Sequence, residues 1–243
     1  MADSSLQVLA RMLLSARRAV FFGGAGVSTE SGIPDFRSTD GLYNQQWKYP
    51  PEVILSHTFF QSQTEEFYRF YRQKMLFPKA RPNGAHRALA ALEQRGILSA
   101  VITQNIDGLH QAAGSRKVIE LHGSVHRNHC VRCRRFYSLE DVLATSGIPR
   151  CSCGGLIKPD VVLYEEQLPA QAIEEAVTAI ARADLLIIGG TSLQVGSAAG
   201  LARQFSGGRL VIINKSKTLM DGEADLVFHD SIGKVLTEVD ALR

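Results

Sequence analysis

The stretch FFGGAGVSTESGIPDFRSTDGLY, from Phe21 to Tyr43, holds the first residues whose types and spacing suggest chemistry. Gly24, Ala25 and Gly26 form a glycine turn at the end of an apolar run, where bare backbone can approach phosphates. A dinucleotide fingerprint then wants a third glycine three residues on and an acidic residue about twenty further. Thr29 stands in that glycine's place, and the chain turns into Pro34-Asp35-Phe36-Arg37 with no second strand carrying an acidic tip. The nucleotide pattern opens and then departs from itself.

Three further stretches stand beside it: Thr103-Gln104-Asn105-Ile106-Asp107, Glu120-Leu121-His122-Gly123 and Gly190-Thr191-Ser192. Each follows a predicted strand, and in open α/β sheets ligands gather beyond the carboxyl ends of strands. Thr191 and Ser192 can donate hydroxyls to phosphate, while Asn105 and Asp107 suit amide and hydroxyl groups. His122 is the group there whose ordinary pKa suits it to take a proton near neutral pH. No Ser-His-Asp elbow or kinase-type set accompanies it. His57, His86, His110 and His229 read as structural.

A second chemistry sits in Cys130-Val-Arg-Cys133 and Cys151-Ser-Cys153, separated by 17 residues, 134–150. Four thiolates in two close pairs match tetrahedral structural zinc, and a closed shell of this kind is not catalytic. The second pair is one residue shorter than CxxC, and Gly154-Gly155 supply backbone freedom for the tighter turn. His126 or His129 is near enough in sequence to replace Cys151 if that turn cannot chelate. Unrelated thiols or a redox pair are the blander readings. Arg127, Arg132, Arg134 and Arg135 read as a solvated face.

Positioning these groups requires a scaffold. Leu6 to Ser15, Glu65 to Met75 and Ala85 to Gln94 carry helical spacing, the last with Asn83 as its N-cap. AVIT (100–103), VVLY (161–164), LLII (185–188) and LVII (210–213) are short apolar runs, expected in a parallel sheet buried on both faces. The pattern breaks between His126 and Pro159, where cysteine, aromatic and basic residues replace it. The fold class is therefore α/β: a Rossmann-like parallel sheet with helices on both faces plus a small inserted zinc-binding domain. The expected division is 1–35, 84–125 and 159–243 for the nucleotide-binding part and 126–158 for the zinc module. Residues 36–60 form a loop region and 61–83 a helical insert.

At 243 residues, 45% hydrophobic and 21% charged, with net charge +3, the chain has ordinary globular composition. Its apolar runs are too short to span a bilayer. The charge does not predict nucleic acid as a partner. The N-terminal stretch MADSSLQVLARMLL has no basic lead and cleavage site, so cytoplasm is the default expectation.

GAGVSTESGIPDFR, TQNID, ELHG, the paired cysteines and GTS, in this order, resemble the sirtuins, NAD-dependent protein-lysine deacylases, in their compact bacterial form. The resemblance runs from about residue 10 to about 240. It implies that GIPDFR continues into a cofactor-binding loop, with Phe36 shielding the reacting ribose carbon and Arg37 contacting phosphate or ribose. Asp35 belongs to the same loop. Ala25 and Thr29 would line the cofactor, Gln104, Ile106 and Asp107 the nicotinamide pocket, and Asn105 the ribose hydroxyls and water. Asn214 and Ser231 would lie near the adenosine. The acyl oxygen of a modified lysine would attack the anomeric carbon as nicotinamide leaves, and His122 would then activate a ribose hydroxyl. The products would be free lysine and O-acyl-ADP-ribose.

By the same resemblance an acetylated protein or peptide would lie as an added strand between Val161–Glu166 and Leu193–Gly196, with Val161, Val162, Tyr164, Glu165 and Val195 as contacts. Tyr164-Glu165-Glu166 stands where relatives commonly show Phe-Gly-Glu, so Glu165 is expected to add a charge beside the groove. Members preferring acidic acyl chains carry a Tyr and, three residues on, an Arg in the helix before the Pro-Asn segment. Here Tyr68 is followed at that spacing by Tyr71, with Arg72 one residue off, so deacetylation is expected over desuccinylation. The rival readings are mono-ADP-ribosyl transfer from the same pocket and a non-catalytic NAD-sensing module. His122 together with Asn105 favours deacylation over the first, and the intact polar set including His122 argues against the second, which absent nicotinamide release would favour.

Overall fold

In a computed structural model the described residues are 4–36, 41–44, 47–193 and 200–242. Their centre is a six-stranded parallel sheet in the order β3-β2-β1-β7-β8-β9. The strands are β1 (Ala19–Gly23), β2 (Leu98–Thr103), β3 (Val118–Glu120), β7 (Leu185–Gly189), β8 (Arg209–Ile213) and β9 (Leu226–Phe228). Side chains alternate across a strand, so Phe21 and Phe22 of β1 enter opposite cores, each at 0% exposure. Phe21 packs under helices α1 (Ser5–Ser15), α5 (Gly84–Gln94) and the C-terminal helix Ile232–Ala241, while Phe22 faces α8 (Ala170–Ala181). Each ring buried in this way contributes about 1.5–3 kcal/mol. Asn83 caps α5 as the sequence suggests, accepting from the Ala85 and His86 backbone N–H groups.

The sheet's register aligns its carboxyl ends. Glu120 lies beside Thr103, Thr103 beside Gly23, Gly23 beside Gly189 and Gly189 beside Ile213. Whatever follows those residues emerges along one edge. The chain leaves β1 toward β2 on one side and returns to β7 on the other, so a crevice opens there.

A second, antiparallel sheet has the order β5-β4-β6, from β4 (Gly123–Cys130), β5 (Phe136–Tyr137) and β6 (Ile157–Val161). It packs against α4 (Thr64–Lys74), whose Phe67, Tyr68, Phe70 and Tyr71 fill a third core with Val125, Ile157 and Leu163. The run VVLY is not a strand of the parallel sheet. Val161 ends β6, and Tyr164 instead bridges Ser56 at the start of α3 (His57–Ser62). Apolar content alone cannot distinguish a sheet strand from a segment buried between two small elements. Among the described residues no helix is long and apolar enough to cross a membrane.

Under the sheet edge lie two fully buried imidazoles, His86 and His110, with ring centroids 4.8 Å apart. The Asn83 N–H donates to His86 Nδ1, which fixes that ring as the neutral tautomer. Burial pushes His86 down to about 4 and His110 to about 3. Both stay neutral in the folded chain while the unfolded chain protonates them below about pH 6.5. Stability is therefore complete above that value and falls as pH drops toward 4, by up to about 1.4 kcal/mol per pH unit for each ring. Urea midpoints measured between pH 7 and pH 5 test this, and a flat profile would contradict it.

Candidate functional site

The turn after β1 runs through two 3-10 segments, Ala25–Val27 and Thr29–Ser31, rather than entering a long helix. That explains Thr29 in place of the third glycine: its hydroxyl donates to the Gly26 carbonyl at 3.0 Å and braces the turn. The glycines serve a contact the sequence does not reveal. A Cβ at Gly26 would come within 2.8 Å of the Gly190 Cα, and one at Gly24 within 2.9 Å of the Thr191 Cβ. The turn after β1 is thus pressed against the turn after β7, and Gly26 N–H donates to the Gly190 carbonyl at 2.8 Å.

From the end of β2, Gln104 donates through Nε2 to Thr191 Oγ1 at 3.1 Å, tying the two sides of the crevice together. Asn105, 9% exposed, donates through Nδ2 to Ser28 Oγ at 3.1 Å, and Ser28 donates to Asp107 Oδ2 at 2.6 Å. The other Asp107 oxygen accepts from the Leu109 N–H at 2.9 Å. Ser28, 1% exposed, is the hub of this network and was not among the residues expected from sequence. Its only signal is a small hydroxyl residue two places past the glycine turn.

His122 follows β3. Its Nδ1 is 2.9 Å from the Gln104 carbonyl oxygen, which can only accept, so Nδ1 carries the proton and Nε2 is left as the base. Burial is the main influence on this ring and holds its pKa below the ordinary histidine value, partly offset by that bond. Gly123 has φ +73, and a Cβ there would lie 1.7 Å from the Asp160 carbonyl oxygen. Only glycine allows β4 to pair with β6 at this point. The pairing places the Val162 N–H on the His122 carbonyl at 3.0 Å, so the expected peptide segment begins beside the base.

These parts enclose one cleft of about 1430 Å³. It is lined by Gly24, Ala25, Gly26, Thr29, Asp35 and Phe36, by Gln104 to Asp107, by His122, by Gly190, Thr191 and Ser192, and by Asn214. Val161, Val162, Tyr164 and Glu165 line its other side. Arg37 and Val195 lie outside the described residues. Ser231 does not line the cleft: it caps the C-terminal helix, accepting from the Lys234 N–H and bonded to Glu30. Glu165 turns its carboxylate away to α3, accepting from the Thr58 N–H at 2.9 Å and hydroxyl at 2.7 Å. The charge expected beside the groove is therefore spent on a helix terminus. His126 also has another task, donating through Nε2 to the Asp107 carbonyl at 3.0 Å.

Among the described residues the metal-competent cluster is Cys130, Cys133, Cys151 and Cys153, with all four sulfurs within 4.8 Å of one another. Tetrahedral coordination at about 2.3 Å puts sulfurs roughly 3.8 Å apart, and two of the contacts here are 3.5 Å. The short pair joins the cluster because Gly154 takes φ +81, and a Cβ on Gly155 would strike the Cys130 Sγ at 2.6 Å. Chiefly through the Cys153 backbone N–H, the Cys151 thiol is pushed down to about 5, while Cys133, despite a lowering backbone bond from Arg135, is pushed up to about 11 by sharing its proton with Cys151 and Cys153. Of the nearby arginines, Arg132, Arg134 and Arg135 are exposed, as expected of a solvated face, and Arg127 is half-buried. Arg132 donates to the Cys153 carbonyl, Arg135 to Ser152, and Arg127 pairs with Glu120 and Asp160.

Comparison with known proteins gives a consistent picture. The profile described as "Sir2 family" matches residues 24–197. A Clostridium acetobutylicum protein named NAD-dependent protein deacetylase is 58% identical, with 95% of this chain and 96% of that protein covered. A solved Sir2 carrying deacetylated p53 peptide and 3'-O-acetyl ADP-ribose superposes with TM-score 0.91 at 44% identity, covering 98% of both chains. A Sir2 with p53 peptide and NAD+ superposes at 0.87 with 43% identity, again covering 98% of each.

Proposed function

The chain belongs to the Sir2 family, and from that premise we propose how its own residues carry the family's reaction. It is an NAD-dependent protein deacetylase, transferring acetyl from lysine to ADP-ribose with release of nicotinamide. The observation that carries the mechanism is the His122 tautomer. With Nδ1–H held by the Gln104 carbonyl, Nε2 is the proton acceptor in the cleft between the nucleotide turns and Val161–Tyr164. That is where a base must stand to deprotonate a ribose hydroxyl once the acyl oxygen has displaced nicotinamide. Gly24 to Gly26 with Thr191 and Ser192 receive the phosphates. Asp107 and the Ile106 backbone read the carboxamide, Asn105 holds ribose hydroxyls and water, and Phe36 covers the reacting carbon.

The test is nicotinamide release from NAD, followed by mass spectrometry with and without an acetyl-lysine peptide. Peptide-dependent release with O-acetyl-ADP-ribose as product is the expected result. ADP-ribose attached to protein with no acetyl transfer would replace this reading with a transferase.

The acyl preference follows from α4. Tyr68 and Tyr71 are 1% and 0% exposed, and Tyr68 donates its hydroxyl to the Ile157 carbonyl. Arg72 lies over the Tyr68 ring and donates to Thr145, Val142 and Gly147, so its cation is committed to the zinc module. Arg72 is thus not offered to an acyl carboxylate, whose burial without a partner is costly. Succinyl-lysine peptide is expected to turn over on the order of tenfold or more below acetyl-lysine peptide. Equal rates in a competition assay would refute this. We assign the cysteine cluster to one structural zinc ion, which its four thiolates fit and which would supply folding free energy rather than chemistry.

A further inference from the structure

We propose that Tyr164 is a positioning residue that couples the acyl-peptide segment to Phe36 through hydroxyl contact with Tyr43; the proposal rests on the deacetylase reading. The link needs both hydroxyls, and a phenylalanine at either position would remove it.

The backbone of Tyr164 is held from both sides. Its N–H donates to the Leu55 carbonyl at 2.9 Å, and its carbonyl accepts from the His57 N–H at 3.0 Å. The next residue, Glu165, takes φ +75 without being glycine, a conformation that disfavours side chains. Its carboxylate is fastened to Thr58 by two hydrogen bonds, which compensate and lock the turn. Glu166 completes the lock, accepting from the Leu163 N–H at 2.9 Å and from Lys158 at 3.0 Å.

On this fixed backbone Tyr164 is 46% exposed and lines the cleft. Its hydroxyl is hydrogen-bonded to that of Tyr43. Tyr43 in turn packs edge-on against Phe36, with centroids 5.6 Å apart, and its N–H donates to the Phe36 carbonyl at 2.9 Å. Leu42 N–H donates to the Asp35 carbonyl at 2.8 Å, so the two stretches lie side by side. Phe36 lines the cleft together with Ala25 and His122. A continuous series of contacts therefore joins the segment that takes the acyl-lysine to the ring that covers the reacting end of NAD. An acyl-lysine lying along Val162–Tyr164 restricts the Tyr164 ring and so favours one placement of Tyr43 and Phe36. Peptide binding then strengthens NAD binding, and by linkage NAD strengthens peptide binding.

The experiment compares Tyr164→Phe, Tyr43→Phe and the double variant, with thermal unfolding measured to show that each is folded. At saturating acetyl-lysine peptide, KM for NAD is expected to rise about fivefold in each single variant, the worth of one net hydrogen bond. The double variant should rise no further, because both substitutions remove the same contact. Tyr43→Phe should bind the acetyl-lysine peptide alone as tightly as the unaltered protein does. An unchanged KM in either single variant, or a double effect near the product of the two, overturns the coupling. Peptide-dependent nicotinamide release by the unaltered protein is measured alongside. Its absence overturns the deacetylase reading and the coupling with it, whereas its presence with unchanged KM values overturns the coupling alone.

Discussion

Replacing His122 by alanine is expected to lower kcat by about 10²–10⁴ while leaving NAD and acetyl-lysine peptide binding within about threefold. The imidazole contacts the Gln104 carbonyl and lines the cleft, but the turns after β1 and β7 and the segment Val161–Tyr164 are held by other bonds. Losing the ring therefore removes a proton acceptor more than a binding surface. If nicotinamide leaves before the base acts, the variant should still exchange labelled nicotinamide into NAD when peptide is present. Turnover near the unaltered rate would remove His122 from the mechanism. The pH profile supplies an independent check. Burial lowers the pKa of His122, so its neutral, basic form persists to more acidic pH than an exposed histidine's. The rate should thus stay level through about pH 6.5 and fall only as pH drops through the lower folded value. A decline beginning well above that point would mean the ring is not desolvated when it works.

Much of this site is readable from the chain because strand ends are readable. The apolar runs before Gly23, Thr103 and Gly189 mark parallel strands, and aligned strands must deliver their following residues to one edge. What sequence could not supply were the contacts between those residues. Gly24 and Gly26 suggest phosphate approach, yet the immediate constraint is the turn at Gly190 pressed against them. Ser28 and Asp107 are 79 positions apart and meet only through the fold. The run VVLY has strand composition, but its neighbours, Gly123 on one side and the start of α3 on the other, take it out of the parallel sheet. Glu165 and Ser231 follow the same logic. Each is polar and near the site in sequence, and each has its polar atoms engaged at a helix N-terminus. Local pattern predicts elements well, whereas the target of a polar side chain depends on what packs beside it.

On the assignment of the cysteine cluster to zinc, removing the metal, or either buried cysteine of the cluster, should abolish activity although the cluster does not line the cleft. Cys130→Ser and Cys151→Ser are expected to retain less than about 1% of deacetylation and no bound zinc by atomic emission, since zinc binding by such small modules supplies about 10–16 kcal/mol of folding free energy. Cys133→Ser, at an exposed ligand, should be milder and recover part of its function at high zinc. The loss reaches the site along β4. This strand starts at Gly123, the residue after the base, and ends at Cys130, 0% exposed in the third core. If the cysteine turns come apart, β4 loses its far anchor and β6 loses its partner. His126, midway along β4, then no longer holds the Asp107 carbonyl, and Val162 no longer holds the His122 carbonyl. Arg72 also loses Thr145 and Gly147, loosening α4 from the module. A strong chelator with reductant should produce the same defect, and zinc added on refolding should reverse it. Full activity in a protein shown to be free of metal would mean that the thiols alone hold β4 in place.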